Sequence, residues 1–331
     1  MKTFEHFEVY PPEDQIRFFN DWSQFNDDFR TQDLDIHLGC QVDFSKIRND
    51  KINVHMYGEW PNSWFNGKER GQNVPLNLEI EKRFDYVLSF CKQTALGRGY
   101  LYAPYGYDFD HVQSQVDWND IGDVNKDIDV FMCATCPGEH EYGEIHPVWP
   151  WYKTMEKFNH VFCNANWASH YVSWREKQAL SSRSKISIVF TDFLGASPPC
   201  IEYAKQHFPW IKFKTPGGID NVKPLTTQAK GRVFDAVFCK SIILCYKSPF
   251  VGELPPYNCP IEDYLDPKTD FIYFEDSKDL ETKIKEILDD YDNPKYKKMV
   301  DSAYDKMKKN HDVKVIYEKY LVPLAKKGKT K

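Results

Sequence analysis

Lys230-Gly-Arg-Val-Phe-Asp-Ala-Val-Phe-Cys-Lys-Ser-Ile-Ile-Leu-Cys-Tyr-Lys-Ser-Pro249 is the stretch on which the reading of the fold turns. It reads as a short helix delivering Arg232 and Asp235, then a buried strand over Ser241–Cys245. After a loop comes Pro260-Ile-Glu-Asp-Tyr-Leu-Asp-Pro-Lys-Thr-Asp-Phe-Ile-Tyr-Phe274, with a strand over Phe271–Phe274, and then a helix opening at Ser277. In that helix Leu280, Ile284, Ile287 and Leu288 keep the spacing of one helical face. Ser277 is the expected N-cap, with Asp279 and Glu281 in the acidic first turn. Helix, strand, loop, strand and helix in this order indicate an α/β protein.

The same alternation extends towards the N-terminus. Candidate strands are Ile52–Tyr57, Phe84–Phe90, Tyr100–Ala103, Ile128–Cys133, His160–Cys163, Ile186–Phe190 and Ile211–Lys214. Short β-branched and aromatic runs of this kind fit strands of a parallel sheet covered on both faces. Ala103-Pro-Tyr-Gly-Tyr-Asp108 reads as a connection between two lobes, and the polar stretch to Asp127 as a surface loop. Towards the C-terminus, Pro294 starts a helix through Met299, Ala303 and Met307, and a further helix is expected from Val313 to Leu324.

The chain has 331 residues, enough for two domains with real cores, and its 16% aromatic content excludes a disordered chain. No stretch approaches the roughly 18–20 apolar residues of a membrane helix, so no transmembrane segment is expected. Met1–Gln15 carries charges and prolines where a signal peptide needs an apolar core. Nine cysteines, an odd number scattered through mostly apolar runs, fit reduced thiols, and a cytoplasmic location is the expectation. The net charge of −6 argues against a nucleic-acid partner. Only Tyr320–Lys331 is plainly basic, as a solvated tail or a contact with an anionic surface.

An α/β sheet invites nucleotide fingerprints, but neither G-x-G-x-x-G nor a P-loop is present. Gly217-Gly218, after Pro216, is an ordinary turn or a place where backbone approaches a ligand. Cys133-Ala-Thr-Cys136, with His140 and His146 downstream, supplies four zinc ligands on paper. Its spacing is unlike a finger, and Pro137-Gly138 leaves no helix start for redox chemistry. The Asp pairs 33/35, 108/110, 127/129 and 290/292 suit a divalent ion in type, but 127/129 leads into a strand instead of following one and 290/292 sits in a turn; all four read as chance in an Asp-rich chain, and no metal is expected. A cation such as Arg232 at a helix start, beside backbone N–H groups, makes a diphosphate site, and Asp235 is placed to accept from a ribose; an ordinary salt bridge is the alternative.

The series of motifs resembles the C-terminal lobe of GT-B glycosyltransferases, of the spore-maturation-protein (CgeB-like) and family 1 kinds. Arg232-Val-Phe-Asp-Ala236, the strand Ile242–Cys245, Ile261-Glu-Asp-Tyr-Leu265 and Asp279-Leu280 follow the order of those domains. Ser184-Lys-Ile-Ser-Ile-Val-Phe190, Asp127–Thr135, Tyr102–Asp108 and Asn310-His-Asp312 resemble further steps of the pattern. The resemblance spans about residues 100–322. Asp235 stands where the pattern has Glu, and Cys239-Lys-Ser241 replaces a small-residue turn.

The resemblance implies two Rossmann-like lobes with parallel sheets and a cleft between them. On it, residues 1–105 are expected to form the acceptor lobe, 106–292 the nucleotide-sugar lobe, and 293–331 helices packing back towards the first lobe with a basic tail. It implies transfer of a sugar from a nucleotide-sugar to a glycan or other hydroxyl acceptor, with no cofactor and no metal. Donor contacts are expected from Arg232, Asp235, Lys240, Ser241, Gly217, Gly218 and Lys185. Family 10 fucosyltransferases, which use a GDP-sugar, echo in Gly231–Ala236 without their T-E-K; a catalytically inactive glycan- or partner-binding pair of lobes is the third reading.

In the first lobe, Lys51–Tyr57 ends in Gly58-Glu-Trp-Pro-Asn-Ser-Trp64. Ligands of parallel α/β sheets bind at the carboxyl ends of strands, so Glu59 is placed to face the cleft. Glu59 and His37 are the candidate bases for an acceptor hydroxyl, and Trp60 and Trp64 candidate platforms for a sugar face. If Glu59 is the base, Glu59→Gln keeps nucleotide binding and loses transfer in a radiolabelled-donor assay; undiminished transfer removes Glu59 from the site.

Overall fold

The computed structural model describes residues 24–38, 44–57, 79–90, 92, 95, 99–115, 125–134, 148–164, 174–191, 231–247 and 260–330. They form two parallel sheets. The first joins β1 (Leu34–Leu38), β2 (Ile52–Tyr57), β3 (Tyr86–Ser89) and β4 (Leu101–Tyr102) in chain order. The second joins β5 (Ile128–Ala134), β6 (His160–Asn164), β7 (Ser184–Val189), β8 (Ile242–Tyr246) and β9 (Ile272–Phe274) in the order β6-β5-β7-β8-β9. Every pairing is parallel, with Leu34 opposite Ile52 in one sheet and Val130 opposite Ile186 in the other.

The second sheet is covered on both faces, which is why its strands read as continuous apolar runs. On one face Val130, Met132, Ile186, Ile188, Ile242 and Leu244 pack with Trp151 of α1 (Val148–Met155) and Leu280, Ile284 and Ile287 of α2 (Ser277–Asp289). Asp276, not Ser277, caps α2, accepting from the N–H groups of Lys278 and Asp279 at 2.8 Å each. On the other face lie α3 (Trp174–Ser182) and α4 (Gly231–Phe238), whose Val233, Phe234, Ala236, Val237 and Phe238 are buried. β1 has no counterpart among the expected strands, and Ile211–Lys214 lies outside the described residues.

The chain crosses between the sheets twice, and the two crossings touch. After β4, residues 103–107 lead to the second sheet; after α5 (Pro294–His311), the chain returns at Asp312. There the Tyr107 N–H donates to the His311 carbonyl at 2.9 Å, and the Val313 N–H donates to the Tyr107 carbonyl at 3.0 Å. Gly106 is required by this approach: a Cβ would stand 3.1 Å from Ile316 Cγ1 and 3.2 Å from the Val313 Cα.

Beyond the crossing, Val313–Ile316, a π turn at Tyr317–Leu321 and Val322–Lys327 stand where one helix was expected. This segment lies on the first lobe. Tyr317 stacks on Phe29 with ring centres 5.4 Å apart, and its hydroxyl bonds Asn26 and Thr31. Further on, the Tyr86 hydroxyl donates to the Gly328 carbonyl at 2.8 Å, and Thr330 Oγ1 donates to the Asp85 carbonyl at 2.7 Å. One apolar cluster therefore runs from Leu34, Val54 and Met56 through Tyr105 and Tyr107 to Phe234, Phe238, Val313 and Tyr317.

Candidate functional site

All carboxyl ends of the second sheet's strands share one edge. β6 lies to one side of β5 and β7 to the other, so the strand order reverses between β5 and β7. In doubly wound sheets a ligand crevice opens at that switch point, outside the carboxyl ends. Here those ends are Cys133–Ala134 and Val189–Phe190. Phe131, Cys133, Val189, Lys177, Arg232 and Asp235 are among the residues around a recess of about 10 Å³ between the strands and α3 and α4, room for a single water.

Arg232 sits in the first turn of α4 at this edge. Its guanidinium lies 3.8 Å from the centre of the Phe190 ring and donates to the Phe190 carbonyl at 3.2 Å. The ring and the carbonyl hold one side of the fork in place, a fixed cation beside the N-terminal N–H groups of a helix.

Asp235, one turn on, points inwards. It is 6% exposed. Its Oδ1 accepts from the Tyr107 hydroxyl at 3.0 Å and from Gln178 Nε2 at 2.5 Å, and its Oδ2 accepts from Lys177 Nζ at 2.7 Å. Burial and the neighbouring carboxylate push the Tyr107 hydroxyl well above the usual phenol range, so it stays a donor. Cys239, its thiol pushed up to about 12 by burial, donates to Gln178 Oε1 at 3.0 Å. In place of the expected ribose contact, the Asp235 carboxylate holds the inter-lobe segment, α3 and α4 together. Lys177 and Gln178 were not singled out in the sequence, and Tyr107 only as part of the inter-lobe connection; their link to Asp235 is spatial, with Tyr107 and Asp235 128 residues apart.

The structure does not bring the other expected donor residues to this crevice. Lys185 is the second residue of β7 and pairs with Asp129 at 2.8 Å. Lys185 and Phe190 are five residues apart along one extended segment, about 16 Å. Lys240 and Ser241 precede β8 and therefore stand at the amino edge as well. Lys240 has φ +51° and reaches over the Tyr304 ring, 5.0 Å from its centre; Ser241 Oγ donates to the carbonyls of Ser181 and Ser184 at 3.0 Å each. Gly217 and Gly218 lie outside the described residues, as do Glu59, Trp60, Trp64, Cys136, His140 and His146.

His37 packs within the first lobe. Its ring meets Phe84 at 5.0 Å between centres, its Nε2 stands 3.7 Å from the Asp35 carboxylate, and it lies opposite His55 in the β1–β2 register. His55 is held neutral, lowered to about 3 by burial and then by His37. Among the described residues no three His, Cys, Asp or Glu side chains gather as metal ligands, and each Asp pair named above has a member in an ion pair: Asp35 with Arg48, Asp110 with Lys314, Asp129 with Lys185 and Asp290 with Lys295.

Solved structures supply the comparison that decides the fold. An alpha-glucosyltransferase in complex with UDP and a 13-mer DNA is similar over 89% of this chain and 80% of its own, at 15% identity and a TM-score of 0.54. The chain has the GT-B fold. HepE of Anabaena, in complex with UDP and glucose, matches over 83% of this chain and 72% of its own at 9% identity and a TM-score of 0.46. Sucrose-phosphate synthase of Thermosynechococcus elongatus matches over 92% and 76% at 10% identity and the same TM-score. No protein-family profile and no curated protein matches the chain. Among the described residues, no helix of this GT-B chain is long and apolar enough to cross a membrane.

Removing one member of a buried ion pair strands the other charge, at a cost of about 3–5 kcal/mol. Asp235→Ala is therefore expected to lower unfolding free energy by about that amount in urea titration, and Tyr107→Phe by about 1 kcal/mol. An Asp235→Ala chain of wild-type stability contradicts the structural role.

Proposed function

We propose that the chain is a glycosyltransferase that moves a sugar from a nucleotide-sugar onto a hydroxyl-bearing acceptor, a glycan first of all, without a metal ion. The observation that carries this reading is Arg232, pinned by Phe190 at the carboxyl edge of the second sheet beside the switch point of a GT-B fold. The alpha-glucosyltransferase of like fold is in complex with UDP, which supports a nucleotide-sugar ligand here.

When the bond from sugar to diphosphate breaks, negative charge grows on the leaving oxygen. A guanidinium and the N–H groups at a helix start stabilise charge that develops there, and being already fixed they need no reorganisation as the bond breaks. In this role Arg232 holds the diphosphate, and Phe190 and its carbonyl hold Arg232. Asp235 acts one step back, fixing α4 through Tyr107, Gln178 and Lys177. The acceptor hydroxyl needs a base, and Glu59, two residues after β2 in the sequence, is the proposed one.

The DNA in the alpha-glucosyltransferase complex favours a second reading of the acceptor, a hydroxyl carried by nucleic acid. Transfer assays on glycan and DNA acceptors separate the two.

A ligand that binds only the folded chain raises its stability as RT ln(1 + [L]/Kd), so a thermal-shift panel of UDP, GDP, ADP, CMP and dTDP, with and without EDTA, tests the donor reading. One nucleotide is expected to raise Tm equally in EDTA, and Arg232→Ala to lose that shift while keeping the ligand-free Tm. A shift by GDP selects the fucosyltransferase-type donor. No shift with any nucleotide overturns the transferase reading in favour of a binding module.

A further inference from the structure

A second concavity lies away from the crevice, against the paired crossings of the chain. Its volume is about 500 Å³, within the range of small-molecule sites. Pro104 comes from the first crossing and Ile316 from the second, and with Tyr264 they form a buried, largely apolar floor. Tyr102 and Tyr320, each half-buried, stand at the walls with Asn310, Glu262 and Lys319. Phe234 meets Tyr264 edge-on, ring centres 5.7 Å apart, so the body of α4 separates this groove from Arg232.

The charges of the lining select the ligand. Asp263 is met by Lys92 at 3.0 Å and Asp266 by Lys306 at 2.6 Å. Among the described lining residues Glu262 and Lys319 remain, one of each sign. Burial lowers the His311 imidazole to about 4, so it adds no charge at neutral pH; its ring is tilted against Tyr264 with centres 4.4 Å apart, and its buried Nδ1 has no hydrogen-bond partner among the described residues. With Asp263 and Asp266 met by lysines and one further charge of each sign, the lining has no excess charge to select an anion or a cation. A neutral molecule with hydroxyls around an apolar face suits both halves of the lining: tyrosine rings and the Pro104–Ile316 floor for its C–H face, and Asn310, Glu262 and Lys319 for its rim.

We infer that this groove is a saccharide-binding site, separate from the donor crevice and spanning both lobes. It joins Tyr102 of the first lobe to Tyr264 and Asn310 of the second, so its ligand is an oligosaccharide segment held beside the hinge. The inference stands on the lining of the groove and not on the assignment of Arg232.

The test is saturation-transfer NMR and calorimetry on the full chain with maltotriose, cellotriose, laminaritriose and chitotriose. At least one trisaccharide is expected to bind. Tyr320→Ala and Asn310→Ala are each expected to weaken it about tenfold, Asn310→Ala, at an exposed side chain, with unchanged Tm. Arg232→Ala is expected to leave it unaltered, and inorganic phosphate not to displace it. Binding by none of the four, binding that survives both groove substitutions, loss with Arg232→Ala, or displacement by phosphate overturns the proposal.

Discussion

Tyr107 is the point at which the molecule is tied. Its backbone pairs with the returning chain at His311 and Val313, and its hydroxyl donates to the buried Asp235 carboxylate. Its ring stacks on Phe234 at 5.7 Å and meets Phe109 edge-on at 5.0 Å. A buried phenol and a buried carboxylate are each costly alone, and together they satisfy one another. The consequence is mechanical. Both strands of the hinge are fastened to α4, the helix that carries Arg232, so the position of the candidate cation is set by the same residues that join the lobes.

This arrangement divides the charged residues of the second lobe by edge. At the amino edge, Lys126 donates to the carbonyls of Ser182, Ser184 and Cys239 at 2.9–3.1 Å, Lys185 meets Asp129, and Arg183 bonds Asp127 at 2.8 Å. These are cations closing helix ends and strand starts. At the carboxyl edge Arg232 rests on the Phe190 ring and donates to the Phe190 carbonyl.

Much of the architecture was legible because buried parallel strands leave uninterrupted apolar runs. Ile52–Tyr57 matches its observed bounds, and the expected strands at 128, 160 and 271 agree within a residue or so at each end. Leu34-Asp-Ile-His-Leu38 escaped because its polar alternates, Asp35 and His37, break the run, although apolar residues at every second position are themselves a strand signal. The cap moved by one residue because Asp276 and Ser277 are adjacent capping types, and only backbone geometry chooses between them. Lys240 and Ser241 stand elsewhere than their place in the family pattern suggests. Their position before β8 assigns them to the amino edge by the topology of a parallel sheet alone, whereas their place in the family pattern suggested the opposite. The inward turn of Asp235 had no sequence signal, since its three donors come from two distant segments.

The most direct test of the account is a crystal structure of the chain soaked with the nucleotide diphosphate that stabilises it. The account predicts the diphosphate against Arg232, beside the carboxyl ends of β5 and β7, with Asp235 still bonded to Tyr107, Gln178 and Lys177. A diphosphate bound at the amino edge, against Lys185 or Lys240, or a ribose in hydrogen-bond contact with Asp235, would contradict it.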